Sequence, residues 1–242
     1  MTEGHERAVS FLKNSIRKGI IHHAYLIKGP ERIGKETLSI DMACAINCQN
    51  EEKPCDMCET CRKIRTRVHP DVKIYENPSI SDIREIEKDV SISPFESPHK
   101  IYIIKGDGMG VEAMNALLKT LEEPSSWAVI VINSSRSLLP TIISRCQVIE
   151  LSYPAREVIE GVLTRRGAEP ERAYFLSKIC GGRIGWAIEA FQDEEVLRER
   201  AEIIERLIDV LSSGLTEKLK FAEEFLKMEK DEVISVSYTH LT

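Results

Sequence analysis

The 242-residue sequence contains no run of about 18 apolar residues, so nothing in it is expected to span a membrane. Its first residues are polar and form no apolar signal core, which makes a cytoplasmic location the default expectation. Aromatic residues are scarce, at 6%, and positive charge is in deficit, with a net charge of −6. Both count against a basic, base-stacking nucleic-acid binder, although a local patch or a partner can still supply positive charge. The short basic cluster Arg62-Lys63-Ile64-Arg65-Thr66-Arg67 reads as a solvated helix face rather than a DNA contact. What remains, 42% apolar and 30% charged, suits a globular chain of one large and one smaller domain.

A second absence is a single hydroxyl. Gly29-Pro30-Glu31-Arg32-Ile33-Gly34-Lys35-Glu36 meets the phosphate-loop pattern G-x-x-x-x-G-K-[ST] at Gly29, Gly34 and Lys35. Glu36 stands where a Ser or Thr would hold Mg²⁺. The glycines let backbone N–H groups turn toward phosphates, and the lysine offers a cation. A carboxylate in the metal position can repel a triphosphate or misplace the metal. The loop therefore belongs either to a working ATPase or to an ATPase fold kept for another purpose.

The first 152 residues alternate strand-like and helix-like signals. Short apolar runs at 24–27, 72–75, 101–104, 128–132 and 148–151 read as strands buried on both faces. Helical stretches at 35–46, 83–90 (after the candidate cap Ser81) and 111–122 lie between them. This alternation predicts an α/β fold: a five-stranded parallel sheet with helices on both faces, the phosphate loop joining a strand to a helix. Residues 1–152 form this domain, with an insert at about 47–62. Pro154 marks a change to short helices at 156–165, 171–179 and 184–191, a small helical lid over 153–193. Longer amphipathic helices at 194–211 and 216–230 read as part of a third, helical domain over 194–234. Residues 235–242 show no helical period and read as an irregular tail, either a point inside that helical domain where the chain stops or a non-native end.

Of seven cysteines, four cluster as Cys48-x6-Cys55-x2-Cys58-x2-Cys61. CxxC spacing brings two thiolates to one ion, and four thiolates close a tetrahedral zinc site. The polar insert cannot build a core of its own, so a metal would organise it. With every ligand from protein, such a zinc is structural. The same run resembles the start of an iron–sulfur motif, but Arg65 stands where the fourth cysteine would follow. A redox CxxC is the remaining alternative. Cys44, Cys146 and Cys180 read as core residues.

Several strings now occur in order: His23-Ala24-Tyr25-Leu26 before Gly29-Pro30, the cysteine cluster, His69-Pro70-Asp71, Asn115-Ala116-Leu117-Leu118-Lys119-Thr120-Leu121-Glu122-Glu123-Pro124, and Ser144-Arg145-Cys146. Over about residues 5–211 the chain resembles the AAA+ subunits of the bacterial clamp loader, the assembly that opens and closes the sliding clamp of DNA polymerase III. The resemblance implies an AAA+ domain, a lid and a helical collar. It implies as partners the motor subunits (gamma or tau), the delta subunit, the clamp and primer–template DNA.

The family contains both ATP-hydrolysing motors and members that do not hydrolyse ATP. A motor needs the phosphate loop, an Asp-Glu pair after the third strand and a lid arginine. Here the strand is followed by Lys105-Gly106-Asp107-Gly108, and Asp107 is two residues late. Thr37 lies about 100° around the helix from position 36 and is a poor substitute. In the lid motif Gly181-Gly182-Arg183-Ile184-Gly185-Trp186-Ala187, Gly185 occupies the place of the phosphate-sensing arginine. Losses at one reaction centre predict no hydrolysis in cis, while Gly29, Gly34 and Lys35 still allow nucleotide binding without turnover. The resemblance implies that the intact Arg145 reaches a neighbour's ATP as a finger in trans. The alternatives are a motor ATPase using Glu36 and Asp107 unusually, and a zinc-stabilised DNA-binding module. A collar only partly present predicts weak ring assembly.

Overall fold

The computed structural model describes residues 2–212 and Gly214. The chain divides into two compact units between Tyr153 and Pro154. In the first unit, a helix α1 (Glu6–Arg17) precedes strand β1 (Ala24–Lys28), helix α2 (Lys35–Asn47) and helix α3 (Glu59–Arg65). Then come β2 (Val72–Tyr75), α4 (Ile80–Asp89), β3 (Lys100–Lys105), a 3-10 turn (Gly106–Gly108) and α5 (Val111–Glu122). The unit closes with β4 (Ala128–Ser134), a short helix α6 (Pro140–Ile143) and β5 (Gln147–Glu150).

All five strands are parallel, in the order β2-β3-β4-β1-β5. Because side chains alternate along a strand, each strand feeds two cores. Tyr25, Ile27, Ile101, Ile103, Val129 and Val131 pack with Leu38, Met42 and Ile64 on the face of α2 and α3. Leu26, Tyr102, Ile104, Ile130 and Ile132 pack with Ile83, Ile86, Leu117 and Leu121 on the opposite face, that of α4 and α5. Burial on both faces is why the strands read as unbroken apolar runs. The α/β expectation holds. β5 begins one residue earlier than its apolar pattern suggests, because Gln147 pairs with Tyr25.

The cap of α4 differs from expectation. Ser79, not Ser81, caps the helix, and Asp82 reaches back to complete a capping box. Ser81 instead shares a hydrogen bond with Ser79 Oγ at 2.7 Å. At the far end of α4, Asp89 accepts hydrogen bonds from Lys100 Nζ (2.8 Å) and Tyr102 OH (2.8 Å) and pairs with Lys73 Nζ (3.1 Å). Burial opposes ionisation of Asp89, but Lys100, Tyr102 and Lys73 outweigh it and hold the carboxyl at about 2, below the ordinary 3.8. A depressed carboxyl stabilises the fold above its unfolded value and stops doing so as pH falls through the folded one. We expect about 2 kcal/mol to be lost between about pH 4 and pH 2. Urea denaturation should show this acid limb in the native chain and a flatter one in Asp89→Asn. Equal slopes in both proteins would exclude the assignment.

The His69-Pro70-Asp71 string is a loop clamp. Asp71 is buried and accepts from the backbone N–H groups of Phe95 (2.7 Å), Glu96 (2.8 Å) and Ser97 (3.0 Å). His69 Nδ1 accepts from the Asp71 N–H at 3.1 Å, which places the proton of the neutral ring on Nε2, 3.0 Å from Ser97 Oγ. Burial lowers the His69 pKa and favours that neutral form.

The second unit contains α7 (Arg156–Arg165), α8 (Pro170–Ile179), α9 (Ile184–Gln192) and α10 (Glu194–Ser212). Ile159, Leu163, Leu176, Cys180 and Trp186 form its core, and the Arg200 guanidinium covers the Trp186 ring at 4.4 Å. The expected helix at 216–230 and the tail at 235–242 lie outside the described residues. Among the described residues no helix is long and apolar enough to cross a membrane.

Candidate metal centre and phosphate-loop site

The polar insert between α2 and α3 brings its cysteines together. The sulfur atoms of Cys48, Cys55, Cys58 and Cys61 all lie within 4.8 Å of one another. A tetrahedral ion with Zn–S bonds of about 2.3 Å needs sulfurs about 3.8 Å apart, so the set fits one ion. The backbone supports the same geometry. Cys58 N–H donates to Cys55 Sγ at 3.3 Å, and Cys61 N–H to Cys58 Sγ at 3.4 Å. Hydrogen bonds from the Cys58 and Met57 backbone bring the Cys55 thiol down to about 6, whereas burial pushes Cys61 up. These four cysteines could bind a metal such as zinc; bound, the ion would supply charge to thiolates and no open position to substrate. Cys44 lies in the adjacent core, its thiol pushed up to about 11 by burial.

The cysteine insert is tied to the phosphate-loop helix by ionic contacts that the sequence did not reveal. Arg65, in the last turn of α3, donates to Asp41 Oδ1 at 2.7 Å and to Asp56 at 2.6 Å. Asp41 belongs to α2, is 1% exposed, and also accepts from the Thr2 hydroxyl at 2.8 Å. Arg67, at a left-handed φ of 59°, pairs with Glu36 and lies 3.6 Å from Glu76. The basic cluster is a largely solvated face with ionic partners: Arg62, Thr66 and Arg67 are exposed, and Arg65 and Arg67 also pair with α2. Residue spacing could not show this, because Asp41 and Arg65 are 24 positions apart.

The phosphate loop joins β1 to α2 as expected. Gly34 sits at the N-cap of α2 with φ 99°, a conformation that favours glycine. A Cβ on Gly29 would lie 2.5 Å from the Leu151 carbonyl oxygen, so only glycine passes there. Lys35 Nζ donates to the carbonyls of Gly29 and Pro30, both at 2.7 Å. His5 Nε2 donates to the Ile33 carbonyl at 2.6 Å, anchoring the start of α1 on the loop. Thr37 is exposed.

Asp107 is hydrogen-bonded on both carboxylate oxygens by the end of β4 and the loop that follows it. It accepts from Ser134 Oγ (2.7 Å), Ser135 Oγ (2.7 Å), Ser135 N–H (2.9 Å) and Arg136 N–H (3.2 Å). Burial opposes its ionisation, but these donors prevail and keep its pKa below the ordinary carboxylate value. Lys105 ends β3, exposed. In the second unit, Gly185 lies in the first turn of α9 and Arg183 is its buried N-cap residue.

Arg145 lies just past α6. Its Nη2 donates to Glu122 Oε1 at 2.6 Å, and Nη1 to the Thr141 carbonyl at 2.9 Å. About a third of its side chain stays exposed, at 34%. Cys146 packs against the α4–α5 core, its thiol raised to about 11 by burial.

Residues 4–155 match the family described as DNA polymerase III, delta subunit. The chain belongs to this clamp-loader family, as a homologue of the delta' subunit. It is 32% identical to the DNA polymerase III subunit delta' of Bacillus subtilis, over 87% of this chain and 66% of the relative. It is likewise 32% identical to the Haemophilus influenzae delta' subunit, over 73% and 57%. The Bacillus subtilis tau subunit is 32% identical over 67% of the chain and 30% of its own length. This delta' homologue thus spans about two thirds or less of the relatives it matches. Among solved structures, a gamma-subunit-related protein of Thermotoga maritima superposes with a TM-score of 0.55 at 25% identity, covering 94% of this chain and 75% of that one. The Thermotoga maritima RuvB branch-migration motor does so at 0.53 and 15% identity, covering 84% and 64%, a likeness of AAA+ fold alone.

Proposed function

We propose that this chain is a non-hydrolysing, delta'-like member of the clamp loader that completes a neighbouring motor subunit's ATP site with Arg145. The observation that carries this reading is how the groups of this domain are engaged. The groups that would run chemistry in cis are satisfied by other groups of the chain: Lys35 by loop carbonyls, Glu36 by Arg67, Asp107 by Ser134 and Ser135. Arg145 is paired too, with Glu122 and the Thr141 carbonyl, but it lies just past a short helix with 34% of its side chain exposed, and a guanidinium's five donors exceed what these partners take up. Phosphoryl transfer depends on metal positioning and on cations placed against developing charge. A guanidinium supplied in trans meets the second need without requiring the first.

In this reading Gly29, Gly34 and Lys35 hold the loop's shape, and Cys48, Cys55, Cys58 and Cys61 bind a structural zinc ion. The partners are gamma or tau motor subunits, the delta subunit, the sliding clamp and primer–template DNA. The test is ATP turnover by the isolated chain and by its complex with motor subunits, clamp and DNA, using native chain and Arg145→Ala. Turnover by the isolated chain would support the motor reading, which the likeness to gamma and tau subunits keeps as the second choice.

A further inference from the structure

An arginine side chain must give up rotamer freedom before it can meet a phosphoryl group. Arg145 has already given up much of it. Nη2 donates to Glu122 Oε1 at 2.6 Å, and Nη1 donates to the Thr141 carbonyl at 2.9 Å and approaches Ser144 Oγ at 3.4 Å. A guanidinium carries five N–H donors, so these contacts leave Nε–H and one Nη2–H for a second anion. The anchors come from separate elements: Glu122 ends α5, and Thr141 lies in α6. Together they set both the position and the plane of the guanidinium.

Glu122 stands where a carboxylate is otherwise unfavourable. It is the last residue of α5, at the negative end of the helix dipole, with Glu123 next to it. A cation beside it relieves that charge, and Arg145 is the cation that the fold supplies. We propose that Glu122 is a positioning residue for the trans finger: it presets the Arg145 guanidinium for the neighbour's γ-phosphate and does not touch nucleotide itself. This inference rests on the reading of Arg145 as a trans finger.

The chain should be assembled with motor subunits, clamp and primer–template DNA as wild type, Glu122→Ala, Glu122→Gln and Arg145→Ala. ATP turnover is then measured against ATP concentration, with native mass spectrometry confirming complex stoichiometry. Glu122→Ala should lower turnover at the site this chain completes about three- to fivefold, the size expected of a partly exposed pair, so that the assembly's kcat loses most but not all of what Arg145→Ala removes, with KM for ATP within about twofold. Glu122→Gln keeps an oxygen that accepts from Nη2 and should retain most of the wild-type kcat. An unchanged or raised kcat in Glu122→Ala overturns the proposal, as does Glu122→Gln falling equally far. Failure of Glu122→Ala to assemble also overturns it, since that marks a structural role. Wild-type turnover in Arg145→Ala would instead sink the finger reading itself, whatever Glu122 does.

Discussion

Replacing Arg145 with alanine should abolish catalysis at the neighbouring ATP site while leaving this chain folded and the complex assembled. An arginine finger contributes about 10³–10⁵ in turnover in other phosphoryl-transfer systems. Even the lower figure corresponds to about 4 kcal/mol of transition-state stabilisation. Turnover of the whole assembly should fall at least by the share of the site that this chain completes. It should fall further if the sites fire in sequence. Arg145→Lys should restore little, because an ammonium keeps charge but lacks the planar fork that meets two phosphate oxygens. Folding should be untouched: the side chain is a third exposed, and its partners Glu122 and Thr141 are surface groups. Full-stoichiometry complexes of Arg145→Ala that turn over ATP at the wild-type rate would defeat the proposed function.

Stripping metal from the cysteine cluster should produce the second large effect. The insert has no apolar core: residues 50–53, 56 and 57 are exposed, and an ion bound by its sulfur atoms, which lie within 4.8 Å of one another, would be its main organiser. The ion's contribution is therefore largely the folding free energy of the insert and α3. The sheet has its own two cores and should survive, so the loss is smaller than in an isolated zinc finger. We expect about 3 kcal/mol, or a fall in Tm of roughly 10 °C, on chelation or in Cys61→Ser. The purified chain should carry one zinc per molecule, and chelation should make Cys48, Cys55, Cys58 and Cys61 reactive to a thiol reagent. Buried Cys44 and Cys180 should stay protected. A metal-free chain with unchanged Tm and thiol reactivity would rule out a structural ion.

Loss of metal should also reach the phosphate loop. Arg65 neutralises Asp41, which is 1% exposed, and a buried carboxylate left without its partner is costly. The cluster is thus linked to α2 through α3, two elements that the sequence presents as a strand-flanking helix and a separate insert.

Much of this was open to reading from the chain itself. The apolar runs marked the strands because a parallel sheet buries both faces, and the CxxC spacing marked the metal ligands because local chain geometry brings those sulfurs together. The degenerate loop was visible because Glu36 stands at a fixed offset from Gly29 and Lys35. Helix α1 was equally open to reading and was passed over: Ala8, Val9, Leu12 and Ile16 recur at amphipathic-helix spacing and pack on the core. Ser79 was passed over as a cap because Ser81 offered the same chemistry two residues later. Only the helix start decides which hydroxyl meets the Asp82 N–H.

The sequence by itself determined the α/β sheet, the four-cysteine cluster, the missing metal hydroxyl and the intact Ser144-Arg145-Cys146. Each is a matter of residue type at short, countable spacing. Only the tertiary structure decided where the charges go. Arg67 on Glu36, Arg65 on Asp41, the serines on Asp107 and Glu122 on Arg145 join positions 23–31 residues apart. Such pairs form where folding brings two surfaces together, and no periodicity in the chain encodes which carboxylate an arginine will meet.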